Sequence, residues 1–420
     1  MPPIAYNAYH PLSKTPRRHL ILAAGILILA ISACQPQQAS YTLGLLSAAD
    51  SQSLPAGSLV LGAEQKTGYE LAGKAVDGLF RLSLKSESTS PDEVQVTVRG
   101  MVENTNPPVV ALVGATTNAG TTRTAALANF FNLPMVVPSA IGDNLLPSNN
   151  LWAFRLSAPG SAHAAYLFDT VLTRQVISGL TTGDEFSVPL SLGIFYEQNT
   201  FGESTAVETA KYAMAQEIEI GYYGHFDPDA PDKARLVQAF SAMQEAGVHL
   251  VYIVASNPDA AQIIVSAFRE FFVPGDAPLL LGQSGGFASH QFLQSPEASG
   301  VFILRQQIVT DRCPDGIETL VEAQAYAAIQ LLSFSIEQSG DQLGAKDNPT
   351  LTDQREAVRD SLKASSLNLP CLGLTSFDNS GQNKNLQFEF LYAANTAPRL
   401  IAAEKLTEAL APKLNRDPFE

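Results

Sequence analysis

Hydrophobic and polar positions along this chain fall into blocks whose period switches between that of a buried strand and that of an amphipathic helix. The clearest block, Val109 to Ala140, reads VVALVGATTNAGTTRTAALANFFNLPMVVPSA. It predicts a strand, a polar loop, a helix, a short turn and a second strand. A second block of the same form, HLVYIVASNPDAAQIIVSAFREFFVPGDAPLLLGQSG, begins at His249. Around these, YTLGLL predicts a buried strand, Ser47 to Ser58 a loop, and Leu59 to Phe80 a helix. SESTSPDE then reads as a polar loop and VQVTV, alternating, as a strand. LGIFY and IEIGYY predict further strands on either side of a helix from Gly202 to Gln216. Pro231 at its start and Gly247 at its end frame a helix over DKARLVQAFSAMQEA. Strands and helices in alternation imply an α/β fold with parallel sheets wound in βαβ units. In such sheets the ligand crevice lies beyond the carboxyl ends of the strands.

The first residues belong to a different class. Lys14, Arg17 and Arg18 precede an uncharged, mostly apolar run from Leu20 to Ala33, the length of a signal-peptide core and too short to cross a bilayer. The run closes on Ile31, Ser32, Ala33 and Cys34, which resemble the lipobox of bacterial lipoproteins, where the cysteine is lipidated and becomes the first mature residue. Residues 1–33 are therefore expected to be removed, and 34–40 to form a tether that holds the protein outside the cytoplasm on a membrane. The remaining chain keeps 23 basic against 41 acidic residues, a net charge of about −18. That surface repels phosphate backbones and excludes a nucleic-acid partner.

Chemistry by catalytic or metal-binding constellation is not indicated. His163, His225, His249 and His290 have no metal-pair spacing and no Gly-Xaa-Ser-Xaa-Gly elbow accompanies them. The loop from Gly114 to Gly120 opens on a helix as phosphate loops do, but Thr121 and Thr122 follow where that motif needs a Lys. No enzyme activity, metal or cofactor is expected. Once Cys34 is set aside, Cys313 and Cys371 form a disulfide candidate in an oxidising compartment.

Taken in order, the block at Val109 together with LGIFYEQNTFGESTAVETAKYA, AGVHLVYIVASNPDAAQIIVSAFRE, LLLGQSGGF and LTSFDNSGQ resembles the type I periplasmic solute-binding proteins of ABC importers, especially the branched-chain amino acid receptors. The resemblance implies two Rossmann-like lobes joined by three hinge crossovers, residues 41–157 with 304–375 and residues 158–303 with 376–420. It also implies a monomer that takes a small polar organic solute and passes it to an importer permease. A sensory or regulatory lipoprotein of the same fold, such as a cell-wall synthase activator, is the alternative. After VQVTV the family has a further helix that the sequence here leaves no room for.

The resemblance places the family's ligand contacts on Asn118, Ser139 and Ile141 in the first lobe and on Phe201, Ser256 and Ser284 in the second. Thr117, Ala140 and the backbone at Ala119 and Gly120 complete the candidate set. Asn118 also reads as the helix N-cap. Ile141 and Ser284 stand where the family has a hydroxyl and an acidic residue, so the cleft is expected to be polar and uncharged. A free α-amino acid should then bind poorly, and a neutral or mildly anionic solute better. Trp152 reads as packing near the first crossover.

Overall fold

The computed structural model describes residues 41–76, 78–181, 187–343, 348–392 and 398–415. The expected signal segment and tether, with Cys34, lie outside the described residues. Two sheets organise the rest. The first has five strands in the order β2-β1-β3-β4-β5, with β1 at Thr42–Ser47, β2 at Arg81–Ser86, β3 at Val109–Val113, β4 at Met135–Val137 and β5 at Ala153–Arg155. All its pairings are parallel. The buried stretches VVALV and MVV form its centre, as near-continuous apolar runs do in sheets covered on both faces.

The second sheet has seven strands in the order β14-β13-β10-β9-β8-β6-β7. They are β6 (Ser191–Glu197), β7 (Glu219–Phe226), β8 (Leu250–Val254), β9 (Leu279–Gln283), β10 (Val301–Gln306), β13 (Phe388–Tyr392) and β14 (Arg399–Ile401), while β11 (Ser366–Leu369) and β12 (Gly373–Ser376) make a separate hairpin. The sheet is parallel from β7 to β10, but β13 and β14 join antiparallel, so it is mixed rather than wholly parallel. Strand β10 pairs in it through Gln306. Leu304 to Gln306, assigned above to the first lobe, thus lie in the sheet of the second. Conversely, Phe377 packs in the core of the first sheet and Gln382 bridges Arg155 there, so the last crossover follows these residues.

One element is of the opposite type to the expectation. VQVTV lies inside helix α2 (Pro91–Asn104), and the strand before it is RLSLKS, β2. Val94, Val96 and Val98 alternate over five residues, which suits a strand, but Val94, Val98 and Met101 are the buried positions and Val96 is 70% exposed. A window of fourteen residues carries the helical period that five cannot. Ser90 accepts from the Glu93 N–H, Pro91 occupies the first turn, and Asp92 and Glu93 face the helix dipole. The helix for which the sequence seemed to leave no room is therefore present, and the first sheet has an ordinary edge.

The remaining helices are α1 (Ala56–Ala75), α3 (Asn118–Phe130), α4 (Gly160–Tyr166), α5 (Arg174–Thr181), α6 (Thr200–Ala215), α7 (Lys233–Glu245), α8 (Pro258–Phe271), α9 (His290–Leu293), α10 (Leu320–Leu343), α11 (Leu351–Ala364) and α12 (Glu404–Leu414). Helix α1 stops at Ala75, short of Phe80. Asp232, after Pro231, caps α7, and Gly247 follows its end at φ +61°. Leu320, Ala323, Ala327 and Leu331 of α10 bury one face of that helix in the core of the first sheet beside Tyr69 and Ala72 of α1. Cys313 and Cys371 are joined as a disulfide, Cα–Cα 4.7 Å, tying the segment before α10 to the β11–β12 turn. At the crossovers, Gln306 Oε1 accepts from the Ala158 N–H at 2.9 Å and from Gln324 Nε2 at 3.0 Å, lashing two connections together.

Candidate functional site

Both blocks with the strand-loop-helix pattern end their central strands, β3 and β8, at the same crevice between the two sheets. Two joined cavities lie there. The inner one, about 70 Å³, is lined from the first sheet's side by Thr117, Asn118, Ser139, Ala140 and Ile141, and from the second by Ser256 and Ser284. The outer one, about 680 Å³, is lined by Thr117, Asn118, Ala119, Phe201 and Ser256, and lies within the size range of small-molecule sites. Ser58, at the start of α1, borders both. Of the candidate residues only Gly120 borders neither, and its N–H is taken by Thr117 Oγ1 at 3.0 Å.

Thr117, not Asn118, is thus the N-cap of α3. Asn118 acts elsewhere, its Oδ1 accepting from the N–H groups of Ile141 at 3.0 Å and Gly142 at 2.9 Å and so pinning the loop after β4 to the start of α3. Ile141 contributes that N–H and an apolar wall. Ser139 Oγ is enclosed and has no hydrogen-bond partner among the described residues. Ala140 offers its carbonyl to Arg155 Nη2 at 3.0 Å and to Ser157. Ser256 is spent on the protein itself, donating its N–H at 2.7 Å and its hydroxyl at 2.6 Å to Glu197. Ser284 is 1% exposed, and Gly285 beside it takes φ +103°, where a Cβ would press on Ile141 across the crevice at 3.0 Å. Phe201 is largely buried in the second lobe's core and shows only an edge to the outer cavity. Trp152 is buried under the guanidinium of Arg359, 4.5 Å from the ring centroid, as packing and not as a ligand platform.

The cleft is not uncharged. Asp143, Asp227, Asp229 and Arg123 border the outer cavity. Behind the loops sit two more carboxylates that sequence reasoning passed over as part of polar stretches. Glu87 accepts from the N–H groups of Thr116 and Thr117 and from the Thr117 hydroxyl. Glu197 does the same for Ser256. Burial pushes both carboxyls upward in pKa, against the pull of these hydrogen bonds. Deeper in, burial lowers Arg155 to about 10 and His163 to about 4, so the imidazole is neutral at physiological pH. Nothing in sequence spacing marks Glu87, which reaches across β1 to the loop after β3. Among the described residues no group of three or more His, Cys, Asp or Glu is arranged to hold a metal.

No protein-family model matches this chain, and no curated protein does. Solved structures do. An extracellular ligand-binding receptor from Rhodopseudomonas palustris is similar with a TM-score of 0.69 and 15% identity over 87% of this chain and 100% of that one. This is the type I periplasmic binding protein fold. An ABC transporter substrate-binding protein from Desulfitobacterium hafniense in complex with Leu has a TM-score of 0.62 at 16% identity, covering 86% and 99%. A solute-binding protein of an ABC transporter from Rhodopseudomonas palustris, in complex with 3,4-dihydroxybenzoic acid, has a TM-score of 0.67 at 14% identity, covering 86% and 96%. In this fold the crevice between the sheets is the natural ligand position, and the two cavities described above occupy it.

Proposed function

We propose that this protein is a solute-binding protein held outside the cytoplasm by a lipid on Cys34, and that it captures a small polar organic solute between two hinged lobes and delivers it to an ABC importer permease. The observation that carries the reading is the pair of joined cavities at the carboxyl ends of β3 and β8, walled by Thr117, Asn118 and Ser139 on one side and Ser256 and Ser284 on the other. The similar solved proteins include ABC-transporter components with a small acid bound. Among the described residues no helix is long and apolar enough to cross a membrane.

The inner pocket supplies the Ser139 hydroxyl and the Asn118 amide. The outer cavity supplies room and negative charge. A solute with a compact polar end and a larger neutral or cationic body fits this division; the mildly anionic solute expected from sequence does not, because three aspartates flank the outer cavity against one arginine. The test is a thermal-shift screen of the domain beginning at Gln35 against amino acids, amides, short peptides, polyols and purines. A concentration-dependent rise in melting temperature for one chemical class supports the reading; a flat response across all classes opposes it.

A further inference from the structure

The start of α3 has the makings of an anion seat: a polar loop, a helix N-terminus and converging N–H groups. In this chain two of those N–H groups, at Thr116 and Thr117 just ahead of the helix, are already taken. Glu87, 3% exposed, places Oε2 2.8 Å from the Thr116 N–H and both oxygens 3.3 Å from the Thr117 N–H, and takes the Thr117 hydroxyl as well. The packing is built around it: a Cβ on Gly120 would lie 2.0 Å from Glu87 Oε1, so the glycine at that turn leaves the space the carboxylate needs. Thr117 completes the arrangement by accepting from the Gly120 N–H with the same hydroxyl it donates to Glu87. The opposite lobe repeats the device, with Glu197 receiving the N–H and hydroxyl of Ser256 and the amide of Asn199.

We infer that Glu87 is an internal surrogate for a ligand carboxylate, and that with Glu197 it sets the specificity of the cleft against solutes that carry a carboxylate at their inner end, in favour of neutral amide or hydroxyl groups or organic cations. Two donors that would otherwise grip an acid are saturated, and a second carboxylate brought to them would have to displace Glu87, whose oxygens already hold both N–H groups. Every donor at Glu87 is an N–H or O–H; these bonds pull its carboxyl down, and burial, the larger effect, raises it. Arg123 lies near enough to attract Glu87, and among the described residues it is the one cation bordering the outer cavity. The Leu and 3,4-dihydroxybenzoic acid complexes of similar proteins hold carboxylic acids. The consequence for solute class rests on the solute-binding reading above; the filled seat does not.

The test is chemical rescue. In Glu87→Ala the N–H groups of Thr116 and Thr117 lose their acceptor, and sodium acetate should raise the melting temperature by about 2 to 4 °C beyond sodium chloride at equal ionic strength. The wild type, and Glu87→Gln with the seat still filled, should show no difference between the two salts. Acetate that fails to distinguish Glu87→Ala from the wild type overturns the inference. If Glu87→Ala does not fold, the wild type decides alone: leucinamide should stabilise it at concentrations at least roughly tenfold below those leucine requires, and leucine acting at equal or lower concentration overturns the inference. Acetate rescue with no solute binding of any class would leave the seat standing and count against the solute-binding reading.

Discussion

Asn118 illustrates how one side chain can be placed correctly and given the wrong role. The family resemblance puts it at the ligand, and it does border both cavities, but its carbonyl oxygen holds two backbone N–H groups of the neighbouring loop. Asn118→Ala should therefore destabilise the protein by about 2 kcal/mol even without a solute, because two largely enclosed donors lose their acceptor. Urea unfolding of the two proteins checks this, and an unchanged midpoint would mean the loop is held by something else. The sequence could rank Asn118 as polar and well placed, since strand, loop and helix were legible. It could not show which atom of the amide is occupied, because that depends on a loop twenty residues away.

Glu64 carries a pH dependence. It sits on α1, accepts the His290 N–H from the other lobe at 2.6 Å, and leaves Oε2 without a partner among the described residues. Burial is the main cause that pushes its carboxyl up from 4.5 to about 7, with hydrogen bonds from His290 and Thr319 opposing and Glu322 adding to it. A folded pKa above the unfolded one means that the protonated form is favoured by folding. The contribution is fully present below about pH 4.5 and lost as pH rises through 7, about 3 kcal/mol at the upper bound. Glu64→Gln should remove that slope and be more stable than the wild type at pH 8. Parallel unfolding curves for the two proteins between pH 5 and pH 8 would contradict this.

Among the elements, the long periodic ones were legible and the short ones were not. VVALV with its following helix, and LVYIV with its own, carry enough apolar residues for the period to be unambiguous. VQVTV does not: its alternation suits a strand, yet only Val94 and Val98 lie on the buried face of α2 while Val96 points outward, and the decisive signs were the Ser90-Pro91 start and Met101 a turn beyond. RLSLKS was missed because its exposed edge face blends into the Ser-rich loop that follows. The disulfide belongs to this scale as well, since it fastens the β11–β12 hairpin to the chain before α10 across a separation of 58 residues. Replacing Cys313 and Cys371 together by serine should cost about 4 kcal/mol by loop entropy. Calorimetric unfolding measures it, and a loss under about 1 kcal/mol would mean that packing of Cys371 and its neighbours already fixes the hairpin.

At the level of the whole molecule, the two sheets, their separate cores and three connections running side by side make relative motion of the lobes the expected response to a solute. The division into two lobes could be anticipated from the repeat of one pattern about 140 residues apart, whereas the crossover positions could not, because β10 and the segment at Gln382 look alike in sequence whichever sheet they join. The proposed anchor also belongs to this scale: Cys34→Ala should move the protein from the membrane fraction to the soluble one, and a variant that stays with the membrane after a high-salt wash would argue against lipid attachment.

Whether a solute is held between the lobes is best asked at Ser58, half-buried on α1 and bordering both cavities. Calorimetric titration of the best solute from the thermal-shift screen into the wild type and into Ser58→Trp is the most direct measurement. The indole should obstruct the junction of the two cavities, so affinity is expected to fall by roughly a hundredfold or more while the melting temperature without solute stays close to that of the wild type. Equal affinity in the two proteins would place the solute elsewhere and contradict a site between the lobes.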